Sequence, residues 1–239
     1  MSDVLLEVSG LQTGYGDLTV VRDVSLTVRQ GEITVLLGRN GAGKTTTLRA
    51  ITGLNRVQGG TVSYLGGALT EAAHKRVARG ISYVQEGKKV FHELTIEQNL
   101  ILGGFSRGVG KRELISAAEE IYQLFPILGS KRALAAASMS GGQQQMLAIG
   151  QALMAKPKLL ILDEPSQGLA PVIVKEVMER VHELKGTGLG ILLVEQAVQD
   201  SVAIADEVTV VEMGRTVLSG SARDVSVDDL QQAYFGKAS

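Results

Sequence analysis

Residues 33–45 read Ile33-Thr-Val-Leu-Leu-Gly38-Arg-Asn-Gly-Ala-Gly-Lys44-Thr45, and this stretch decides the fold. The apolar run 33–37 is typical of a buried strand, and the pattern after the glycines predicts a helix from Lys44. Glycines let the backbone wrap closely around a phosphate, and the N-terminus of a helix favours negative charge. The segment matches the P-loop pattern in full, in the strand, loop and helix context that the pattern requires.

Lys44 and Thr45 carry the chemistry expected of this loop. The Lys44 amino group is expected to reach the β- and γ-phosphate oxygens of a nucleotide, which makes it a catalytic candidate as well, and the Thr45 hydroxyl is expected to hold Mg²⁺. The nucleotide-binding candidates of the loop are Gly38, Arg39, Asn40, Gly41, Ala42, Gly43, Lys44, Thr45 and Thr46.

Two carboxylates follow another apolar run, in Leu159-Leu-Ile-Leu-Asp163-Glu164. Ligands bind α/β proteins at the carboxyl ends of parallel strands, so both side chains are expected near the P-loop. Asp163 is the predicted partner of the Mg²⁺ shell, and Glu164 is expected to polarise a water molecule in line with the γ-phosphate. Two acids after a strand are by themselves equally typical of a solvated loop, so this assignment depends on the P-loop.

Apolar runs and helical patterns alternate along the rest of the chain. Region 4–28 mixes short apolar runs with Gly and Asp, which is typical of antiparallel strands joined by turns. Further strands are predicted at 61–65, 81–84, 159–162 and 191–194, and the last of these is expected to be the final core strand. Helices are predicted at 70–78, 97–102, 112–125, 142–154, 172–185 and 197–205.

This alternation predicts an α/β fold whose mainly parallel sheet is covered by helices on both faces. We expect a P-loop NTPase (RecA-like) core, an N-terminal antiparallel β-subdomain and an inserted helical subdomain. The core with its β-subdomain is expected to span 1–85 and 156–239, and the helical subdomain 86–155. With 239 residues, a single ATPase-sized domain accounts for the whole chain.

Composition argues against several classes of function. The 24 Lys and Arg residues balance 25 Asp and Glu residues without a long run of one sign, which gives nucleic-acid binding little support. The absence of cysteine excludes thiolate chemistry and suits a reducing compartment. No segment reads as a signal peptide or approaches the roughly 18 apolar residues of a membrane span. We therefore expect a cytoplasmic protein, which would serve a membrane only through partners.

Ser140-Gly-Gly-Gln143 stands before a predicted helix, so a hydroxyl and free backbone N–H groups predict a second anion site there. With this motif, the sequence resembles the ATP-binding subunits of ABC transporters over nearly its whole length. The resemblance implies that the ligand is ATP with Mg²⁺. It also implies that Ser140, Gly141, Gly142 and Gln143 of one subunit complete the ATP site of another.

The resemblance implies partners. Because the chain has one P-loop, it is expected to pair with a copy of itself or with a paralogue, and the sequence leaves that choice open. A transporter of this family also contains two integral-membrane permease subunits, which would hold the chain at the inner face of the membrane, and works indirectly with a solute-binding protein. ATP binding is expected to close the ATPase dimer and hydrolysis to reopen it.

Weaker matches to the family lie on both sides of the P-loop. Tyr15 corresponds to the aromatic residue that stacks on adenine, although a packing role fits an isolated tyrosine as well. Ser166-Gln-Gly-Leu-Ala-Pro171 follows the acidic pair as the D-loop does, which in relatives touches the opposite subunit. Ala170 stands where many relatives carry Asp.

The chain departs from the common family pattern at its metal-sensing glutamine. Relatives usually carry there a glutamine that senses Mg²⁺ and the attacking water. Here the sequence reads Gln85-Glu86-Gly-Lys-Lys-Val-Phe91, so either Gln85 or Glu86 could contact the metal shell through a water molecule.

A second departure follows the run 191–194. Most relatives place a histidine there that hydrogen-bonds the γ-phosphate, whereas this chain has Gln196, and its only histidines are His74, His92 and His182. Glutamine can donate a hydrogen bond but cannot titrate near neutral pH, so a histidine proton relay is excluded at this position. Catalysis is then expected to depend on Glu164, assisted by Gln196.

At both departures the chain is similar to the branch of the family that imports branched-chain amino acids. In that branch, Glu-Gly-basic-basic-Val-Phe, Gly-Leu-Ala-Pro and Val-Glu-Gln are common. The chain is therefore similar to the smaller of the two ATPase subunits of such an importer. Relatives that serve urea or short amides share much of this pattern, and soluble ABC ATPases outside transport form another class. The substrate rests on the resemblance alone, because it does not touch this subunit.

Overall fold

The computed structural model describes residues 3–226, 229–230 and 232–233. Its strands are β1 Val4–Tyr15, β2 Leu18–Arg29, β3 Ile33–Leu37, β4 Val57–Tyr64, β5 Gly67–Ala68, β6 Ile81–Val84, β7 Leu159–Asp163, β8 Gly190–Glu195, β9 Glu207–Glu212 and β10 Arg215–Ser221. Its helices are α1 Lys44–Ile51, α2 Ala73–Ala78, α3 Ile96–Gly103, α4 Lys111–Leu124, α5 Pro126–Ser130, α6 Gly141–Leu153, α7 Pro171–Lys185 and α8 Val198–Val202. Short 3₁₀ turns lie at Phe105–Arg107 and Ala136–Ser138.

These strands form one sheet in the order β5-β4-β1-β2-β10-β9-β3-β8-β7-β6. The half from β9 to β6 is parallel. Every residue of β3, β7 and β8 is buried, as expected for parallel strands covered on both faces. This mixed sheet, with a parallel half and helices on both faces, confirms the predicted fold class. The predicted strands at 33–37, 81–84, 159–162 and 191–194 are all present.

In the other half, the strands from β5 to β2 pair antiparallel, and β1 and β2 are twelve residues long. β10 joins β2 through one parallel pair, Arg215 opposite Asp23. β1 pairs with β2 on one side and with β4 on the other, and β5 extends β4. The antiparallel strands predicted within 4–28 are therefore confirmed. The strand predicted at 61–65 begins earlier, at Val57, and ends at Tyr64.

The last strand of the core lies later in the chain than the sequence analysis predicted, so placing it at 191–194 was wrong. β9 is parallel to β3, with Val208 opposite Val35, and β10 returns beside it. The predicted helix 197–205 is shortened to Val198–Val202, and the chain reaches β9 soon afterwards. The alternating Val and Thr residues of 207–212 are the β-strand signal that the prediction overlooked.

Residues 96–154 contain helices and no strand beyond an isolated bridge between Thr95 and Ala135. The predicted helix 112–125 stops at Leu124, because Pro126 cannot continue it and instead occupies the first position of α5. None of the described helices combines the length and hydrophobicity needed to cross a bilayer.

Side chains of β3 pack into two cores, one on each face of the sheet. Ile33, Val35 and Leu37 pack into the cluster that includes α3 to α7. Leu36 joins the opposite cluster, which contains α1 and the antiparallel strands. α1, directly after the P-loop, buries Leu48 and Ile51 in this opposite cluster. Burying one such side chain contributes about 1.5–3 kcal/mol, which holds α1 against the sheet.

The carboxyl ends of the central strands meet at one edge of the sheet. Leu37 at the end of β3 is opposite Glu195 at the end of β8, and Asp163 at the end of β7 is opposite Val194. This register brings the P-loop, the acidic pair and the segment after β8 together, as expected for an α/β ligand site.

Candidate functional site

The P-loop connects β3 to α1 with a backbone that only glycine adopts easily. Gly41 and Gly43 have φ angles of 81° and 106°, in the region that L side chains avoid. At Gly38, a Cβ atom would come within 2.5 Å of the Val211 carbonyl oxygen. The glycines of the motif are therefore required by the path of the chain as well as by access for a phosphate.

The N-terminus of α1 offers unpaired donors to a ligand. Gly43 is the N-cap and no side chain caps the helix. Within the described part of the chain, the backbone N–H groups of Lys44, Thr45 and Thr46 donate to no other group. Such N–H groups together with the helix dipole favour an anion such as phosphate.

Lys44 lies inside the loop, with its side chain 4% exposed. Its amino group donates to the carbonyl oxygens of Gly38, at 2.7 Å, and Arg39, at 3.3 Å. The same group lies 3.2 Å from a carboxylate oxygen of Glu164. The structure thus joins the first and second predicted motifs by a buried ion pair.

A cavity of about 370 Å³ lies in front of this pair. It is lined by Val20, Asn40, Gly41, Gly43, Lys44, Thr45, Thr46, Glu86, Glu164 and Gln167. A neighbouring cavity of about 300 Å³ is lined by Gly38, Arg39, Asn40, Gly41 and Ala42 together with Val211, Glu212, Met213 and Ala233. All P-loop candidates therefore border one or both of these spaces.

Asp163 lies at the end of β7 and is 1% exposed. One carboxylate oxygen accepts a hydrogen bond from the Thr45 hydroxyl at 3.3 Å, and the other accepts one from the Tyr83 hydroxyl at 2.8 Å. Burial raises the pKa of Asp163, against the opposing effect of these hydrogen bonds. Burial, followed by the nearby Asp163 charge, also raises the pKa of the Tyr83 hydroxyl, which therefore stays protonated as a donor.

The contact between Thr45 and Asp163 offers the oxygen ligands that Mg²⁺ prefers. Among the described residues, no three His, Cys, Asp or Glu side chains are grouped to hold a metal ion. Mg²⁺ usually keeps several water molecules and shares phosphate oxygens with one or two carboxylates, so a single carboxylate beside a hydroxyl fits this ion.

Glu164 adopts a left-handed backbone conformation with φ of 48°, which is uncommon for a residue with a side chain. Its backbone N–H donates to the Val194 carbonyl oxygen at 2.9 Å. The side chain is 7% exposed and borders the 370 Å³ cavity. Besides Lys44, its carboxylate accepts hydrogen bonds from the side-chain amides of Gln167 and Gln196.

Gln196 follows β8 and occupies the position that the sequence analysis compared with a histidine. Its amide donates directly to the Glu164 carboxylate. The three predicted catalytic residues Lys44, Glu164 and Gln196 are therefore linked through the Glu164 carboxylate. An amide can orient that carboxylate but cannot exchange a proton with it near neutral pH.

The structure separates Gln85 from Glu86, which the sequence left as alternatives. Glu86 borders the cavity that contains Lys44, Thr45 and Glu164. Gln85 borders another cavity, of about 310 Å³, between β6, α3 and α6. Glu86 is thus the residue placed on the side of the P-loop.

Ser140 is the N-cap of α6 and forms a capping box with Gln143. Its hydroxyl oxygen accepts from the Gln143 backbone N–H, while the Gln143 side chain accepts from the Ser140 backbone N–H. In the described ranges, the backbone N–H groups of Gly141 and Gly142 donate to no other group. Ser140 borders neither cavity of the P-loop, so within one chain the predicted second anion site is separate from the P-loop.

Tyr15 lies at the end of β1 beside α1 and is 48% exposed. Its hydroxyl lies 3.4 Å from the Thr46 hydroxyl, and the Arg49 guanidinium lies 5.8 Å from the centre of its ring. The ring is therefore next to the P-loop helix with half of its surface free for stacking.

Tyr83, Gln167 and Glu195 are site residues that the sequence analysis missed. Glu195, at the end of β8, is 2% exposed and accepts hydrogen bonds from the backbone N–H and hydroxyl of Ser166. Burial raises its pKa. The sequence signal for Tyr83 was its position near the end of a strand that flanks the acidic pair. Glu195 ends another such strand and also stands in the Val-Glu-Gln pattern, but neither signal gave it a role at the site.

The comparison with known families places this geometry in context. The family described as ABC transporter matches residues 21–167. A high-affinity branched-chain amino acid transport ATP-binding protein of Pseudomonas aeruginosa is 39% identical, over 97% of this chain and 100% of its own length. A probable branched-chain amino acid transport ATP-binding protein of Archaeoglobus fulgidus is 35% identical, over 92% of this chain and 94% of its own length.

Other similar proteins extend the comparison. A lipopolysaccharide export system ATP-binding protein of Haemophilus influenzae is 32% identical, over 98% of this chain and of its own length. The crystal structure of the ADP conformation of an ATP-binding cassette of an ABC transporter superposes with a TM-score of 0.83 at 25% identity. That superposition covers 98% of this chain and 99% of the other.

Proposed function

The chain belongs to the ABC transporter family, and we propose that it is the ATP-hydrolysing subunit of an importer of branched-chain amino acids. One observation supports ATP hydrolysis above all. The Lys44 amino group and the Gln196 amide both contact the Glu164 carboxylate, beside the P-loop cavity. This arrangement combines a phosphate-binding group with a carboxylate that can accept a proton from water.

Lys44 exchanges partners during the reaction that we propose. Its amino group lies 3.2 Å from the buried Glu164 carboxylate, within reach of the P-loop cavity. With ATP present, the amino group turns to the β- and γ-phosphate oxygens, assisted by the free N–H groups of α1. The Glu164 carboxylate is then free to orient the attacking water and to take its proton.

Thr45 and Asp163 hold Mg²⁺ in this proposal, because their oxygen atoms already lie 3.3 Å apart at the edge of the cavity. Bound Mg²⁺ supplies positive charge where charge develops on the phosphate oxygens. Glu86 also borders this cavity, and in this proposal it contacts the metal shell through a water molecule. Tyr15 stacks on adenine from the end of β1.

Residues Ser140 to Gln143 act on the nucleotide of a second subunit. Support comes from the separation of Ser140 from both P-loop cavities and from the unpaired N–H groups of Gly141 and Gly142. The second subunit is a copy of this chain or a paralogue. Closure of the pair around ATP is transmitted to two permease subunits, which place the chain at the inner face of the membrane.

The choice of substrate follows the relatives. Those named for branched-chain amino acid transport are 39% and 35% identical to the chain. A lipopolysaccharide exporter is the second candidate, because the chain is 32% identical to the ATP-binding protein of such a system over nearly its full length. The ATPase chemistry is the same in either case, since the substrate does not meet this subunit.

Uptake measurements with the complete transporter test the assignment. We expect cells that carry the chain, its permease subunits and the solute-binding protein to accumulate radiolabelled leucine. Cells with Glu164→Gln in place of the natural chain should lose this uptake, because the carboxylate that accepts the proton is gone. Uptake that is equal with both chains would refute the coupling, and ATPase activity without any leucine uptake would refute the substrate.

A further inference from the structure

Glu195 is a buried carboxylate that the proposed chemistry does not use. It is 2% exposed, and in the described part of the chain no Lys or Arg side chain pairs with it. Its oxygens instead accept hydrogen bonds from the Ser166 backbone N–H at 2.9 Å, the Ser166 hydroxyl at 2.8 Å and the Gln196 backbone N–H at 3.2 Å. Burying a carboxylate without a counter-charge is costly, so its placement calls for an explanation.

Glu195 accepts hydrogen bonds from two segments that carry proposed catalytic residues, namely the segment after Glu164 and Gln196 itself. Ser166 comes two positions after Glu164, and Gln196 is the residue whose amide meets the Glu164 carboxylate. The backbone N–H of Glu164 is itself bound to Val194, one residue before Glu195. The end of β8 therefore holds the chain at Glu164 through Val194 and again at Ser166 through Glu195.

This double attachment explains how Glu164 keeps an unfavourable backbone. A non-glycine residue with φ of 48° persists only when the surrounding structure determines it. Without the bond from Ser166 to Glu195, the segment after Glu164 would be attached to β8 at Val194 alone. Glu164 could then relax toward a more favourable φ, and its carboxylate would move away from Gln196.

We propose that Glu195 is a positioning residue for ATP hydrolysis, which fixes Glu164 and Gln196 relative to each other through Ser166. This inference rests on the proposed ATPase function. Glu195 borders neither P-loop cavity, so it acts through its neighbours and has no direct part in nucleotide binding. Its loss should therefore lower kcat without weakening ATP binding.

Glu195→Gln tests the proposal with little change in side-chain size. The amide has a single acceptor oxygen and adds two N–H donors, so at least one of the three bonded groups loses its acceptor. In the ATPase dimer or the assembled transporter, we expect kcat to fall at least tenfold, while the Kd for a fluorescent ATP analogue stays within twofold of the wild type. Ser166→Ala removes the hydroxyl contact alone and should lower kcat less.

The two substitutions should not be additive, because they remove parts of one connection. We expect the double variant Glu195→Gln, Ser166→Ala to have the same kcat as Glu195→Gln alone. Losses that multiply would show that the two residues act independently and would overturn the proposal. Unchanged kcat in both single variants would overturn it as well.

Asp206→Asn is a matched control. Asp206 also accepts a backbone N–H of the parallel sheet, that of Ile33, but at the opposite end of β3. We expect this variant to lose stability and keep kcat, so an equal fall of kcat in both carboxylate variants would mean that activity only follows stability and would overturn the proposal. A wild-type protein without ATPase activity would instead refute the function on which the proposal rests.

Discussion

Asp163 is a buried carboxylate whose pKa is raised by burial. Between the ordinary pKa of an aspartate, about 4, and this raised value, the folded protein binds more protons than the unfolded chain. The group therefore makes folding less favourable as the pH rises through the raised pKa. Asp163→Asn removes the buried charge, so we expect its Tm to exceed that of the wild type at pH 7.

The pH dependence identifies the cause of this gain. Because the wild-type carboxyl becomes neutral as the pH falls, the difference in Tm should shrink when scanning calorimetry is repeated from pH 7 toward pH 4.5. The control Asp206→Asn should have a lower Tm than the wild type at pH 7, because it loses the ion pair with Lys185. A difference for Asp163→Asn that grows at acid pH would contradict the assignment of a raised pKa.

Lys44 supplies the cation of the P-loop, and its removal should act directly on nucleotide binding. We expect Lys44→Ala to weaken binding of an ATP analogue by roughly 10- to 100-fold, since a charged hydrogen bond contributes about 1.5–3 kcal/mol. Isothermal titration calorimetry measures this change. Lys156→Ala, which removes an exposed lysine paired with Glu120, is the control and should bind normally.

Local spacing made the P-loop residues predictable, because a strand, a glycine-rich loop and a lysine are contiguous in sequence. Tyr83 and Glu195 could not be found in this way. Their partners Asp163 and Ser166 lie 80 and 29 positions away, and only the register of the sheet brings them into contact. The sequence likewise could not show which of Gln85 and Glu86 faces the P-loop, because that depends on the cavity that each side chain borders after β6.

At the scale of elements, α7 begins without a side-chain cap. Ala170 occupies the N-cap position with extended φ and ψ angles of −67° and 147°, and Pro171 fills the first helical position. An aspartate in this geometry can accept a backbone N–H and interact with the helix dipole. We expect Ala170→Asp to raise the free energy of unfolding by about 0.5–2 kcal/mol in urea denaturation.

Ser140→Ala provides the reverse measurement, because it removes the existing capping box of α6. We expect this variant to lose stability by about the same amount. A lower unfolding midpoint for Ala170→Asp, together with the expected loss for Ser140→Ala, would mean that the start of α7 cannot accept a cap in the folded chain.

Long periodic elements were predicted from sequence, whereas two of the short ones, α5 and β5, were missed. The patterns of α3, α4, α6 and α7 are sustained enough to identify each helix within about two residues. α5 has five residues and β5 has two, which is too short for periodicity to appear. β9 was overlooked for another reason. The predicted strands ended at 191–194, and the parallel pairing of β9 with β3 joins segments that are far apart in the sequence.

At the scale of the whole molecule, the P-loop cavity and the Ser140 turn are separate, since Ser140 does not border that cavity. If they meet only between subunits, blocking hydrolysis should make the pair stable. We expect Glu164→Gln to bind ATP and to form a dimer at saturating ATP in size-exclusion chromatography with light scattering, because the product state that reopens the pair is not reached. A persistent monomer would count against a dimer of two identical chains that binds ATP between them.

Mixing two variants shows whether the P-loop and the Ser140 turn act together within one chain or between two chains. In the Glu164→Gln background, a pair of Lys44→Ala chains lacks the phosphate-binding lysine in both sites, and a pair of Ser140→Ala chains lacks the serine in both. A mixed pair, however, contains one site with both residues intact. We therefore expect ATP to dimerise the mixture but neither variant alone, whereas action within one chain would leave the mixture as impaired as its components.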